Sequence, residues 1–166
     1  SLDAEDIVQD YCRHGFGPAA QAVRQYFALC EQVTDRLAAG QASEVAELED
    51  LSNTQLSLLD KLPFYYTPDV LAAMAAALDQ AQRAAPPASP ELARVGFLRL
   101  GLDYAAREVD FLRRHRAAAA GQRRELREYV TGHTAFLRET FRQHPFAVNV
   151  FDITRDTWPR WRDCGL

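Results

Sequence analysis

The chain has 166 residues, a length that suits one domain able to bury a real core. Its 48% hydrophobic and 25% charged residues describe a globular protein, and a formal net charge of -4 argues against a nucleic-acid binder, which would carry a basic face. No apolar run of about eighteen residues exists to span a membrane and no signal peptide opens the sequence, so no membrane partner is expected and the cytoplasm is favoured.

Asp3 can cap a first helix, from about Ala4 to Arg13, in which Ile7, Val8, Tyr11 and Cys12 fall at helical spacing. The chain starts with Ser1 and enters that helix at once, which suggests a processed product or a piece of something longer. Gly15-Phe16-Gly17-Pro18-Ala19-Ala20 follows and matches G-x-G-x-x-A, a form of the dinucleotide-binding fingerprint. That fingerprint needs a strand before it and a helix after it, so that backbone N–H groups close on a pyrophosphate. Here both flanks read as helix. Pro18 suits a first helical turn, and Gly15 or Gly17 can take the positive φ that ends the preceding helix. The stretch therefore reads as a corner, and no nucleotide or other cofactor is expected.

The second helix runs from Pro18 to about Ala39 with Val23, Phe27, Cys30, Thr34 and Leu37 on one stripe. Val45, Leu48, Leu51, Leu56 and Leu59 suggest one or two short helices over 41–62. A loop, Pro63-Phe64-Tyr65-Tyr66, comes next. Thr67-Pro68-Asp69 is a strong helix start, with a capping hydroxyl, proline in the first turn and an acid at the positive end of the dipole. Its core stripe is Leu71, Met74 and Leu78, and Pro86-Pro87 ends it. Ser89-Pro90-Glu91 starts the fourth helix by the same logic. That helix, to about Arg116, is apolar on two sides and should lie between other elements. One stripe is Leu98, Leu102, Ala105, Val109 and Leu112; the other is Phe97, Leu100, Tyr104 and Phe111. Gly96 and Gly101 each cost about 1 kcal/mol in a helix interior, so a close backbone crossing is expected there. Arg99–Asp103, Asp103–Arg107 and Asp110–Arg114 can pair at i,i+4. After a break near Gly121, the fifth helix reaches about Gln143 with Leu126, Val130, His133, Leu137 and Phe141 inside. Phe146, Val148 and Val150 alternate and permit an extended segment. Pro159 favours a turn that splays Trp158 from Trp161.

The reading is all-α: a bundle of four to five main helices over 1–145, with an irregular or partly extended tail, 146–166, packed on it. Leu98, Leu102, Val109, Phe27, Leu78 and Leu137 are expected in one core.

Chemistry-bearing residues are sparse. The three cysteines, Cys12, Cys30 and Cys164, form neither a disulfide framework nor a zinc pattern, and the first two lie on apolar stripes as small hydrophobes. The four histidines, His14, His115, His133 and His144, sit on separate elements. His133 reads as a satisfied core histidine, its polar atoms partnered, and no metal is expected. No nucleophile motif occurs. Glu44, Glu47, Glu49 and Asp50 cluster, but a solvated face explains them better than a glycosidase pair set across a cleft. No catalytic set can be assembled. The aromatics are more suggestive: Phe64, Tyr65, Tyr66, Trp158 and Trp161 are candidates to stack on a partner surface or on sugar, with at least one loop ring exposed and one tryptophan buried.

Three blocks, DYCRHGFGPAAQAVRQYF, YYTPDVLAAMAAALDQA and ARVGFLRLGLDYA, covering roughly residues 5–110, resemble the C-terminal helical region of a bacterial glycoside-hydrolase-like family, domain of unknown function 4838. The resemblance implies a helical accessory domain of a larger glycoside hydrolase, following a TIM-type barrel that carries the sugar chemistry. The barrel's carboxylates are not in this chain. It further implies the barrel as partner, carbohydrate as a second contact, and a homodimer through the exposed face as a third expectation. The other reading is a stand-alone helical module that binds an apolar ligand or a protein.

Overall fold

The computed structural model describes residues 3–40, 45–47, 57–118, 120–145, 157 and 159–165. Their regular structure is helical, with no strand among the described residues, so the all-α class holds. The chain divides into two compact units, 1–103 and 104–166. The expected single core divides with it. Leu78 and Leu102, with Phe27 and Leu98 packed against them, lie in the first unit, and Val109 and Leu137 are buried in the second.

In the first unit α1, Ala4–Phe16, carries Glu5 and Asp6 in its first turn, where the helix dipole favours acids. It stops at Gly17, whose φ of +49° a β-carbon would strain and whose N–H donates to the Arg13 carbonyl. A single 3-10 turn, Gly17–Ala19, leads into α2, Ala20–Ala38. The G-x-G-x-x-A stretch is thus a helix–helix corner, closed by Arg94 Nη1 donating to the Gly15 carbonyl at 2.7 Å.

The expected loop at Pro63–Tyr66 is instead the end of a helix, α3, Leu58–Tyr65. Ser57 caps it, its hydroxyl accepting from the Asp60 N–H at 3.2 Å. Pro63 forfeits one backbone hydrogen bond, and the burial of Pro63 and Tyr65 offsets that loss. The helix α4, Pro68–Ala84, starts as expected, with Thr67 Oγ1 accepting from the Val70 N–H at 3.3 Å. It packs on α2 and buries Met74, Ala77, Leu78 and Ala81. Ser89 likewise caps α5, Pro90–Ala117. Gly96 and Gly101 depart from expectation: a β-carbon at either would meet nothing within 4 Å, so among the described residues no backbone crosses there. Arg99 pairs with Asp79 of α4, not with Asp103.

The second unit begins within α5 at Tyr104. After Ala117 the chain passes through a 3-10 stretch, Ala120–Leu126, into α6, Arg127–Gln143. Val109, Phe111, Leu112, Val130, Leu137 and Trp161 are buried here. Phe141, expected inside, is exposed. Residues 159–163 are helical where a splayed turn was expected. The expected extended segment at Phe146, Val148 and Val150 lies outside the described residues, as do Trp158 and most of 41–56.

Candidate functional site

Two places depart from an ordinary core. The first is a groove of about 450 Å³ in the first unit, between α1 and α2. Its walls are Ala4, Glu5, Ile7, Val8 and Tyr11 from α1, and Arg24, Phe27, Ala28 and Glu31 from α2. Ile7 and Tyr11 are 55% and 58% exposed, against an expectation that they would turn inward with Cys12, which alone of that set is buried. The corner explains the difference. It aims α1 so that Cys12 and Phe16 reach the core with Ala19 and Val23, leaving the neighbouring stripe uncovered. Tyr11 is held by ring contacts to Phe16 and Phe27, with centroids 5.9 and 6.3 Å away.

Charge is arranged unevenly around that groove. Arg24 pairs with Glu5 across the helices, and its Nη1 is buried without a hydrogen-bond partner among the described residues. Glu31 forms no ion pair among the described residues. Burial pushes the Cys12 thiol up, against a smaller lowering by Arg24.

The second place is in the second unit. Glu108 and His133, 2% and 1% exposed, approach to 3.2 Å between Oε2 and Nε2. The approach is poorly aligned for a hydrogen bond, and among the described residues neither side chain has another hydrogen-bond partner. Tyr104 stacks on the imidazole at 5.9 Å and Trp161 meets it edge-on at 5.8 Å. His133 is buried, as its stripe suggested, but among the described residues neither ring nitrogen has the hydrogen-bond partner expected of a satisfied core histidine. Its acidic neighbour was missed, although Glu108 fills the gap between Tyr104 and Phe111 on an apolar stripe, a signal that was there to read. Among the described residues no three of His, Cys, Asp or Glu gather as a metal site would require.

The aromatic candidates separate. Tyr65 is core, with the Arg36 guanidinium 6.0 Å above its ring, and Trp161 is core in the other unit. Neither can present a ring to a partner, because the helix ends that carry them turn inward. Phe64 and Tyr66 are half-buried against the first unit's core, and burial pushes the Tyr66 phenol up. The exposed aromatic rings among the described residues are instead Tyr11, Phe97 and Phe141. Compared with protein-family models, curated proteins and solved structures, the chain matches none. Among the described residues no helix is long and apolar enough to cross a membrane.

Proposed function

We propose that this chain is a non-catalytic helical accessory domain of a bacterial glycoside hydrolase, packing on a TIM-type barrel in the same polypeptide. The observation that carries the reading is the uncovered stripe of Ile7, Val8 and Tyr11. Large apolar side chains grouped along one groove mark an interaction surface, whereas scattered ones do not. The three sequence blocks that resemble the family supply the rest, and α1 and α2 hold the first of them. The second reading, a stand-alone module for an apolar ligand, is favoured by the groove's volume, which lies within the range of small-molecule sites.

Two measurements test the proposal together. The gene should encode a barrel in the same polypeptide, and the isolated chain should leave aryl glycosides intact. A gene without a barrel sinks the accessory reading and leaves the ligand module. Turnover that disappears when one carboxylate of this chain is changed overturns both.

A further inference from the structure

Glu108 of α5 and His133 of α6 are buried together, 3.2 Å apart, and their surroundings hold little that could offset a charge. The imidazole is walled by the rings of Tyr104, Phe136 and Trp161, at 5.9, 6.5 and 5.8 Å. The other charges on these elements are engaged elsewhere or open to solvent. Arg107 lies 4.7 Å over the Phe136 ring, Asp110 pairs with Arg114, and Asp163 pairs with Arg123. The arginines and glutamates of α6 itself are exposed. Burial pushes the Cys164 thiol and the Tyr129 phenol up, so neither gains charge near neutral pH. Among the described residues, each member of the pair therefore depends on the other for its counter-charge.

A carboxyl and an imidazole that share one proton are neutral together, wherever the proton sits. A second proton leaves a buried cation, and loss of the first leaves a buried anion; either is costly. In an unfolded chain glutamate titrates at about 4.3 and histidine at about 6.5, so between those values the pair also holds one proton there. Above that window the unfolded chain releases the proton that burial retains, and stability falls as the pH rises. Below it the unfolded chain takes a second proton that burial refuses, and stability falls as the pH drops.

The walls decide what yields first. Tyr104 and Phe136 belong to the long helices α5 and α6, whereas Trp161 sits on the short helical stretch 159–163. The indole Nε1 is buried without a hydrogen-bond partner among the described residues, so moving into water regains a hydrogen bond. Detaching that stretch hydrates the pair without unfolding either long helix.

We propose that Glu108 and His133 form a pH-sensitive latch: holding one proton the pair keeps Trp161 docked, and losing it or gaining a second releases residues 159–163. The latch belongs to the second unit alone and stands with or without a barrel in the same polypeptide.

Trp158→Phe leaves Trp161 as the sole tryptophan of the full chain, and acrylamide quenching of its fluorescence reports its exposure. Trp161 should be shielded at about pH 5.5 and several-fold more accessible at about pH 8.5, with helicity by circular dichroism nearly unchanged. Adding Glu108→Gln should reverse the dependence, because glutamine cannot ionise and the site is then neutral only when the imidazole is unprotonated. Trp161 should then be shielded at the higher pH and accessible at the lower. Replacing both groups, in Glu108→Leu with His133→Leu, should abolish the dependence and leave Trp161 shielded throughout; this variant decides the matter even if Glu108→Gln fails to fold. Equal accessibility at the two pH values in the Trp158→Phe chain would overturn the proposal. So would a dependence that survives the double replacement, since another group would then be the sensor, or a Glu108→Gln chain that keeps the original direction.

Discussion

Gly96 and Gly101 stand in the interior of α5 with negative φ and open space where a side chain would go. Replacing each with alanine removes backbone freedom from the unfolded chain and introduces no contact that must yield. The gain is about 1 kcal/mol per site. Five residues separate them, about 7.5 Å along the axis, so the effects should nearly add, giving about 2 kcal/mol for the double variant. For a chain of this length that corresponds to roughly 4–8 °C in Tm. Urea and thermal unfolding followed by circular dichroism give the value directly. Gly17→Ala is the control of opposite sign: with φ at +49° it should cost about 1–3 kcal/mol. If Gly96→Ala or Gly101→Ala destabilised the isolated chain, a backbone would have to cross α5 there, and the packing of the first unit described above would be wrong.

Leu102→Ala should cost about 2–5 kcal/mol, because Leu102 is buried in the same core cluster as Leu78 and Met74; a loss well below 1 kcal/mol in urea unfolding would remove it from that core. Removing one partner of the buried pair, in Glu108→Leu or His133→Leu, should cost about 3–5 kcal/mol, whereas the double replacement should recover most of it; a double-mutant cycle without coupling would show that the two groups do not interact. Burial, reinforced by Asp110, pushes the Tyr129 phenol up to about 12 from about 10. The folded state thus favours the neutral phenol, so stability is intact below about pH 10 and falls as the pH rises through about 12. Tyrosinate absorbance should show a late-titrating group that Tyr129→Phe removes, and a spectrum unchanged by that variant would refute the assignment.

What the sequence made legible was local. Thr67-Pro68-Asp69 and Ser89-Pro90-Glu91 announce helix starts because a capping hydroxyl and a pre-set φ act within four residues, and both hydroxyls cap as expected. Gly17 takes a positive φ for an equally local reason. The failures are tertiary. Pro63 argued for a loop, but its cost is one hydrogen bond and the burial of its own ring and of Tyr65 outweighs it. Periodicity marks Ile7, Val8, Tyr11 and Cys12 alike as apolar, and only the angle of the Gly17 corner decides that Cys12 enters the core while Tyr11 lines a groove. Arg99 had an acid four residues away and chose Asp79 on another helix. Glu108 and His133 are each visible on a stripe, yet their pairing depends on how α5 and α6 meet.

The central claim is that the groove of α1 and α2 is a docking face covered in the parent enzyme, and hydroxyl-radical footprinting of Tyr11 tests it most directly. The phenol is 58% exposed in this chain and should be oxidised readily when the chain is alone. In the full polypeptide the same tyrosine should be protected several-fold, while exposed Phe141 keeps its reactivity. Equal labelling of Tyr11 in the two preparations would mean that nothing covers the groove, and the accessory role would lose the observation that carries it.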